Sequence, residues 1–335
     1  MPIVQISIVK GRDRDKVTQC IKNVAQTIAT TLDAPLASVR VMVNEIEPDH
    51  FAVGTTLKSE SVAPTQPPSA SPAEARRTEW TIETAACHLL DAEAERREIT
   101  RITDEWPELD IPTAYHVQEA IIRDKVAHGD TAVGVKLGLT SRAKQKRMGI
   151  DSPLTAVITD RMHLETGVPV DLERFIHPRI EPEIVFTMAE DLRGPGITAD
   201  IAMAAVGEVR AGFEVIDSRY QNFSFALPDV IADNASSAGF YIGGVARDPA
   251  GLDLALEACV VRVNGEVVDT ATGAAVQGHP GEALALAANS LAARGHYIRA
   301  GDTVLTGGLT DAVFINAGDE ISVQFTSLGS IVVTA

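Results

Sequence analysis

SESVAPTQPPSASPA, running from Ser59 to Ala73, decides how the chain is organised, because it holds four prolines and four serines and almost no large apolar side chain. Such a composition cannot contribute to a core and reads as an extended, flexible linker. It divides the 335 residues into a small domain over 1–58, the Pro/Ser-rich linker over 59–73 and a large domain over 74–335. Two domains also suit the length. On the N-terminal side, Ile3 to Val9 is a β-branched run. Val17, Ile21, Val24, Ile28 and Leu32 then recur at helical spacing, and Val39, Val41 and Val43 alternate. The spacing predicts a β-α-β unit with a parallel crossover. So small a fold buries little apolar surface and leaves sheet edges open, so it is expected to assemble with copies of itself.

On the C-terminal side, helical patterns run from about Ala73 to Ala127, broken near Trp106-Pro107 and restarted at Pro112. From Thr131 onward the texture is short Val/Ile-rich runs between Gly and Pro turns: Thr131 to Lys136, Glu183 to Thr187, Phe213 to Asp217, Val260 to Val263, Asp302 to Leu305, Ile321 to Phe325 and Ile331 to Thr334. Two helices, Thr198 to Val209 and Pro280 to Ala293, interrupt them. The fold class is therefore α+β, with a strand-rich mixed domain rather than a regular βαβ series. No internal repeat is evident, and Gly307-Gly308 lacks the spacing of a phosphate loop.

Composition narrows the function. The net charge is −17, with no dense basic stretch, which argues against nucleic acid. No apolar run reaches membrane-spanning length and the N-terminus has no signal-peptide pattern, so a cytoplasmic protein without a membrane partner is expected. Cys20, Cys87 and Cys259 are widely separated, which speaks against disulfides and a zinc site.

Two sets of residues carry chemistry. Removal of Met1 before a small residue leaves Pro2 with a free secondary amine, which can act as a base. PIVQISIVKGR, LDAPLASVRV and HFAVG closely resemble 4-oxalocrotonate tautomerase, over nearly the whole of that small enzyme. The resemblance implies a base at Pro2, substrate-binding arginines at Arg12 and Arg40, an aromatic at Phe51, and a hexamer whose pockets are shared between subunits. The chemistry agrees. Two guanidinium forks suit a dicarboxylate, and an apolar wall with nearby cations lowers the amine's pKa towards working pH.

In the second set, Glu181 and Glu183 lie two apart on a strand and so share a face, while Glu214 sits among Phe213, Val215 and Ile216 in the next long strand. Three hard oxygen ligands without a Cys or His pair favour Mg²⁺ or Mn²⁺ over zinc. GVKLGLTS, HPRIEPEIVF, GFEVIDSRYQNFSF, DVIADNASSAGFYIGG, GAAVQGHP and TGGLT resemble the fumarylacetoacetate-hydrolase-related group that contains 4-oxalocrotonate decarboxylase and 2-hydroxypenta-2,4-dienoate hydratase. The resemblance implies metal ligands at Glu181, Glu183 and Glu214 and an active-site lysine at Lys136. Relatives also suggest a complex with a separate hydratase. VIDSRYQNF followed by ADNASS resembles the decarboxylases more than the hydratases. His177 and His279, each beside a proline, are candidate pocket residues, and RAKQKR (Arg142 to Arg147) reads as a solvated helix face.

The two halves together imply a bifunctional enzyme of catechol meta-cleavage. It tautomerises 2-hydroxymuconate to 2-oxo-3-hexenedioate and then decarboxylates that dicarboxylate, with a divalent cation as electron sink, to 2-hydroxypenta-2,4-dienoate and CO₂. Two alternatives stand beside it: a hydratase in the C-terminal domain, or an N-terminal domain that serves only for oligomerisation.

Overall fold

The computed structural model describes residues 2–10, 14–31, 34–50, 52–53, 56–57 and 80–335. The chain separates into two units, Met1–Arg77 and Thr78–Ala335. Arg12, Phe51, Leu32 and the whole Ser59 to Ala73 stretch lie outside the described residues.

In the first unit, β1 (Ile3–Val9), α1 (Arg14–Thr31) and β2 (Arg40–Ile46) form the expected crossover, and β1 pairs parallel to β2 with Ile3 opposite Arg40. A short hairpin, β3 (Ala52–Val53) with β4 (Thr56–Leu57), follows. The stripe Val17, Ile21, Val24 and Ile28 is half-buried, as is the sheet face carrying Val4, Ile6, Val41 and Val43. The opposite face is open: Ile3 is 58% and Met42 44% exposed, and among the described residues of this unit only Ala29 and Val39 are buried hydrophobics.

The second unit begins with three helices. α2 (Ile82–Glu95) starts in a capping box at Thr81, α3 (Ile102–Glu105) is one turn, and α4 (Ile111–Ala127) is capped by the Asp110 side chain with a proline in its first turn. β5 (Ala132–Gly138), α5 (Arg142–Met148), β6 (Leu154–Thr159), β7 (Arg179–Met188), α6 (Ala199–Ala204), β8 (Val206–Ile216), α7 (Leu227–Ala232) and β9 (Ser237–Ile242) follow. The chain ends with β10 (Ala258–Val263), β11 (Glu266–Thr272), α8 (Pro280–Ala292), β12 (Thr303–Leu305), β13 (Val313–Phe314), β14 (Glu320–Phe325) and β15 (Ser330–Thr334).

These strands make a large mixed sheet in the order β6-β5-β12-β7-β8-β9, with β13 added to β7, and a four-stranded antiparallel sheet in the order β11-β10-β14-β15. One apolar core joins them: Ile184, Phe186, Val209 and Phe213 of the large sheet pack with Val261, Ile321, Val323 and Ile331 of the small one and with Leu284, Ala287 and Ala288 of α8. A second core gathers α2, α4 and α7 around Leu89, Ile102, Tyr115, Ile121 and Tyr220. Among the described residues no helix is long and apolar enough to cross a membrane.

The structure adds strands that were not expected, β6, β9 and β11 among them, and it shortens one expected helix. The helix expected over Thr198 to Val209 stops at Ala204, and β8 already begins at Val206. From Val209 onward the apolar residues fall at alternate positions, Val209, Ala211, Phe213 and Val215, all fully buried. The cross-strand pairing this permits with β7 outweighs any preference for extending a helix by one turn.

Asp229 ties the helical layer together. Its carboxylate, fully buried, accepts from Thr103 N at 3.0 Å, Thr103 Oγ1 at 2.7 Å and Ala226 N at 2.9 Å, linking the start of α3 to the start of α7. Asp229→Ala leaves three donors without their acceptor and is expected to destabilise this unit by about 2 kcal/mol. The lost stability reads out as a lower denaturant midpoint in tryptophan fluorescence, since Trp80 stacks on Trp106 at 6.4 Å in this layer; an unchanged midpoint rejects the role.

Candidate active sites

The antiparallel register of β7 and β8 places Glu181 directly opposite Glu214, and Glu183 follows two residues along on the same face. Gly212 stands opposite Glu183, where a Cβ would come within 2.2 Å of Val185 Cγ2. Each of the three glutamates offers an oxygen, and these oxygens lie within 4.8 Å of one another. Glu183 and Glu214 are fully buried and Glu181 partly so.

Pro182, between the two carboxylates of β7, sits in mid-strand without harm. Its carbonyl accepts from Leu309 N at 2.9 Å, and in a strand a residue's N and O face the same side. That side is the gap between β12, which pairs with Val185 to Thr187, and β13, which pairs with Arg179 and Ile180. The loop Thr306 to Leu309 fills the gap. Thr306 donates to Ile184 O through N at 3.2 Å and Oγ1 at 2.7 Å, and Gly307 N donates to Glu183 Oε2 at 2.7 Å. Gly307 has a φ of +116°, and a Cβ on Gly308 would lie 2.3 Å from Glu181 Oε2. Both glycines are therefore required for this close approach. The sequence singled out Gly307-Gly308 as lacking the spacing of a phosphate loop and, within TGGLT, for its resemblance; neither reading showed that the pair passes beside the carboxylate cluster.

Lys136 reaches the triad from β5, its Nζ 3.0 Å from Glu214 Oε1 and 3.1 Å from Oε2. Among the described residues it is the cation seen at the cluster, and its three donors exceed what Glu214 can occupy. Burial, then the charges of Glu214 and Glu181, push the Glu183 carboxyl well above the usual carboxylate range. Glu183 Oε1 is buried with no hydrogen-bond partner. A hard divalent cation fits these donors: three carboxylate groups, with a buried oxygen on Glu183 and another on Glu214 that lack a hydrogen-bond partner, and surplus negative charge among the described residues. A cavity of about 220 Å³ opens beside them, bordered by Lys136, Glu181, Thr140, Ser236 and Gly308 and walled by Leu137, Leu154, Phe223 and Phe225.

Two polar networks hold the rim. Asp217 accepts from Ile176 N and His177 N, both at 2.8 Å. Arg219, fully buried, donates to the Asp233 carboxylate, whose Oδ2 also meets Ser236 Oγ at 3.2 Å. Burial raises the Asp233 carboxyl to about 6 despite that partner. Asn234, Ala235 and Ser236 all have positive φ, and the Asn234 side chain pins them by bonding both Val157 N and O. The sequence singled out this DSRY/ADNASS region only for its resemblance; left-handed backbone at non-glycine residues has no composition signal. The two histidines fall elsewhere. His177 is held between Glu98 and Ser218 O against Phe223, His279 caps α8 through Gly281 N, and neither borders the cavity.

In the first unit, Arg40 N donates to Pro2 O at 3.0 Å, so Pro2 and Arg40 share one end of the parallel sheet. Arg40 is exposed and its Nη1 donates to Ala37 O at 2.7 Å and Val39 O at 3.1 Å.

Known proteins match both units. Residues 2–60 match the model of the tautomerase enzyme family, and residues 125–334 that of the fumarylacetoacetate (FAA) hydrolase C-terminal domain. A 4-oxalocrotonate decarboxylase from Pseudomonas sp. (strain CF600) is 43% identical over 244 residues, 73% of this chain and 92% of that protein. A 2-hydroxyhexa-2,4-dienoate hydratase from Comamonas testosteroni is 38% identical over 251 residues, 74% of this chain and 95% of that protein. The solved structure of 4-oxalocrotonate decarboxylase from Pseudomonas putida G7, complexed with magnesium and adipate, superposes with a TM-score of 0.74 at 42% identity, covering 76% of this chain and 96% of that one. With an acidic triad on paired strands and a tautomerase domain ahead of it, the chain belongs to the fumarylacetoacetate hydrolase family.

Proposed function

We propose that the chain is a bifunctional enzyme of catechol meta-cleavage: a 4-oxalocrotonate tautomerase, with Pro2 as base, fused to a 4-oxalocrotonate decarboxylase that holds Mg²⁺ or Mn²⁺ at Glu181, Glu183 and Glu214. The observation that carries the reading is the triad beside Lys136 at a small, largely apolar cavity. The relatives that are named decarboxylases, one of them with magnesium and a six-carbon dicarboxylate, support the choice of substrate.

In the first step the Pro2 amine takes the 2-hydroxyl proton of 2-hydroxymuconate and returns it at C5, giving 2-oxo-3-hexenedioate. Arg40, adjacent to Pro2, and Arg12 bind the carboxylates, and Phe51 keeps water from the amine. In the second step the C5–C6 bond breaks. CO₂ leaves, and the bonding pair moves from C5 through C4 and C3 to the C2 oxygen, where a proton completes 2-hydroxypenta-2,4-dienoate. The divalent cation, when bound, supplies the Lewis acidity that stabilises this charge. Lys136 aims a spare N–H at the developing anion. The apolar walls exclude water, which keeps that hydrogen bond strong and withholds the hydroxyl a hydratase would add.

Fusion keeps the second active site at high effective concentration for the product of the first. The open sheet face of the first unit, with Ile3 and Met42 exposed on it, supports assembly into a homo-oligomer, a hexamer by resemblance, and the cell compartment consistent with the reading is the cytoplasm.

Two measurements test the reading. With 2-hydroxymuconate and Mg²⁺, the dienol absorbance is expected to fall with release of CO₂; with EDTA, or in Glu183→Gln, tautomerisation persists and CO₂ release drops by at least about 10²-fold. Tautomer accumulating with Mg²⁺ in the unaltered protein rejects the decarboxylase, and turnover of 2-hydroxypenta-2,4-dienoate then identifies a hydratase. Pro2→Ala is expected to lower tautomerisation about 10²-fold or more and leave decarboxylation of supplied 2-oxo-3-hexenedioate unchanged. Equal tautomerisation, or protein from cells that retains Met1 in its intact mass, reduces the first unit to an assembly element.

A further inference from the structure

A second cavity, of about 360 Å³, lies between α4, α8 and the strands β5 and β6, and it shares no lining residue with the cavity at the triad. Its inner wall is apolar, built by Ile122, Val135, Ala156 and Leu291. Three arginines border it, Arg123, Arg294 and Arg299, and among the described residues none of them is ion-paired, although the chain carries a net charge of −17. The two acids of the lining are already engaged. Glu119 meets His296 Nε2 at 3.1 Å, and Asp302 accepts from Arg299 N at 2.8 Å.

Arg294 is the informative member. Its guanidinium carbon lies 3.6 Å from the centre of the Tyr115 ring and its Nη2 donates to Thr155 Oγ1, so the side chain is fixed. Its Nε is buried with no hydrogen-bond partner. Arg294 is half-buried, and a partly desolvated cation without a counter-charge is stabilised by an anion that reaches its guanidinium from the cavity. Burial accordingly pulls its pKa below the ordinary arginine value.

We propose that this cavity is a binding site for a small monocarboxylate, its carboxylate held by Arg294 with Arg123 or Arg299 and its hydrocarbon body on Val135, Ala156 and Leu291. The planar carboxylate matches the guanidinium fork. A monoanion is preferred to a dianion because Glu119 and Asp302 also line the cavity. The apolar surface facing the arginines selects a ligand with a hydrocarbon body over free phosphate or sulfate. The site is independent of the catalytic reading above.

The test is a calorimetric titration of the full chain with hexanoate and, as neutral counterpart, hexan-1-ol. Hexanoate is expected to bind the unaltered protein and Lys136→Met equally, and hexan-1-ol at least about tenfold more weakly. Arg294→Gln is expected to weaken hexanoate by about tenfold or more. Ile122→Trp, which fills the space without touching a guanidinium, abolishes binding of both probes and carries the test if Arg294→Gln does not fold by circular dichroism. Three results overturn the site: no heat with hexanoate, equal affinity for the alcohol, or binding that Lys136→Met removes while Arg294→Gln and Ile122→Trp retain it, which puts the carboxylate at the triad.

Discussion

Mutual repulsion of three carboxylates on one face of a β-pair is the constraint around which the second unit is built. Oxygens within 4.8 Å of one another, at an effective dielectric near 20, repel by roughly 3 kcal/mol per charged pair, before the cost of burial. One lysine offsets part of this, and the Gly307 amide a little more. Burial first, and then the remaining repulsion, hold the Glu183 carboxyl far above its ordinary pKa, and the uncompensated charge reserves a place for a cation. The surrounding fold acts to keep the groups from moving apart: β7 and β8 are long, paired over ten residues of β7, and packed between the strap at Thr306 to Leu309 and the apolar core. Repulsion is thereby held in the structure rather than relaxed, which is the condition for binding a hard cation tightly.

The same constraint explains residues that look unrelated in the chain. Pro182 removes an N–H only where β7 has no strand beside it. Gly308 leaves room for the Glu181 carboxylate, and Gly307 turns its amide towards Glu183. Across the cavity, the buried Arg219–Asp233 pair and the Asn234 side chain keep three consecutive left-handed residues in place, so that Ser236 faces the cavity rather than solvent. Each of these is a local violation of backbone preference next to chemistry, where strain is retained only if the neighbourhood over-determines it.

What could be read from the sequence follows the range of each interaction. The β-α-β pattern of the first unit, the helix restarted at Pro112 and the strands around Glu183 and Phe213 depend on neighbours within a few residues, and local pattern alone reveals them. The Glu181/Glu183 face is a two-residue argument of the same kind. That Glu214 lies opposite Glu181 is a matter of register across more than thirty residues, which only its apolar company hinted at. β6, β9 and β11 escaped notice because Thr155, Gly239 and Asp269 dilute their apolar runs, and the early start of β8 because the apolar residues of Ala199 to Ala204 run on into Val206 with no Gly or Pro between them. The Gly307 amide on Glu183 and the Asp233–Arg219 pair are long-range polar contacts with no periodic signature at all.

The two units differ in how far they satisfy their own burial, and that difference bears on why they share a chain. The larger one closes two cores and covers both faces of its central sheet, so its acidic site needs nothing from outside its own fold. The smaller one leaves Ile3 and Met42 bare on an open two-stranded sheet, and its proposed base lies at the end of that same sheet. The unit that carries Pro2 therefore has exposed apolar side chains to gain from being covered, which is the physical basis of the proposed assembly. Under the proposed assembly, copies of the small unit that cover this face draw the larger units together as well, and the proposed second active site gains in local concentration.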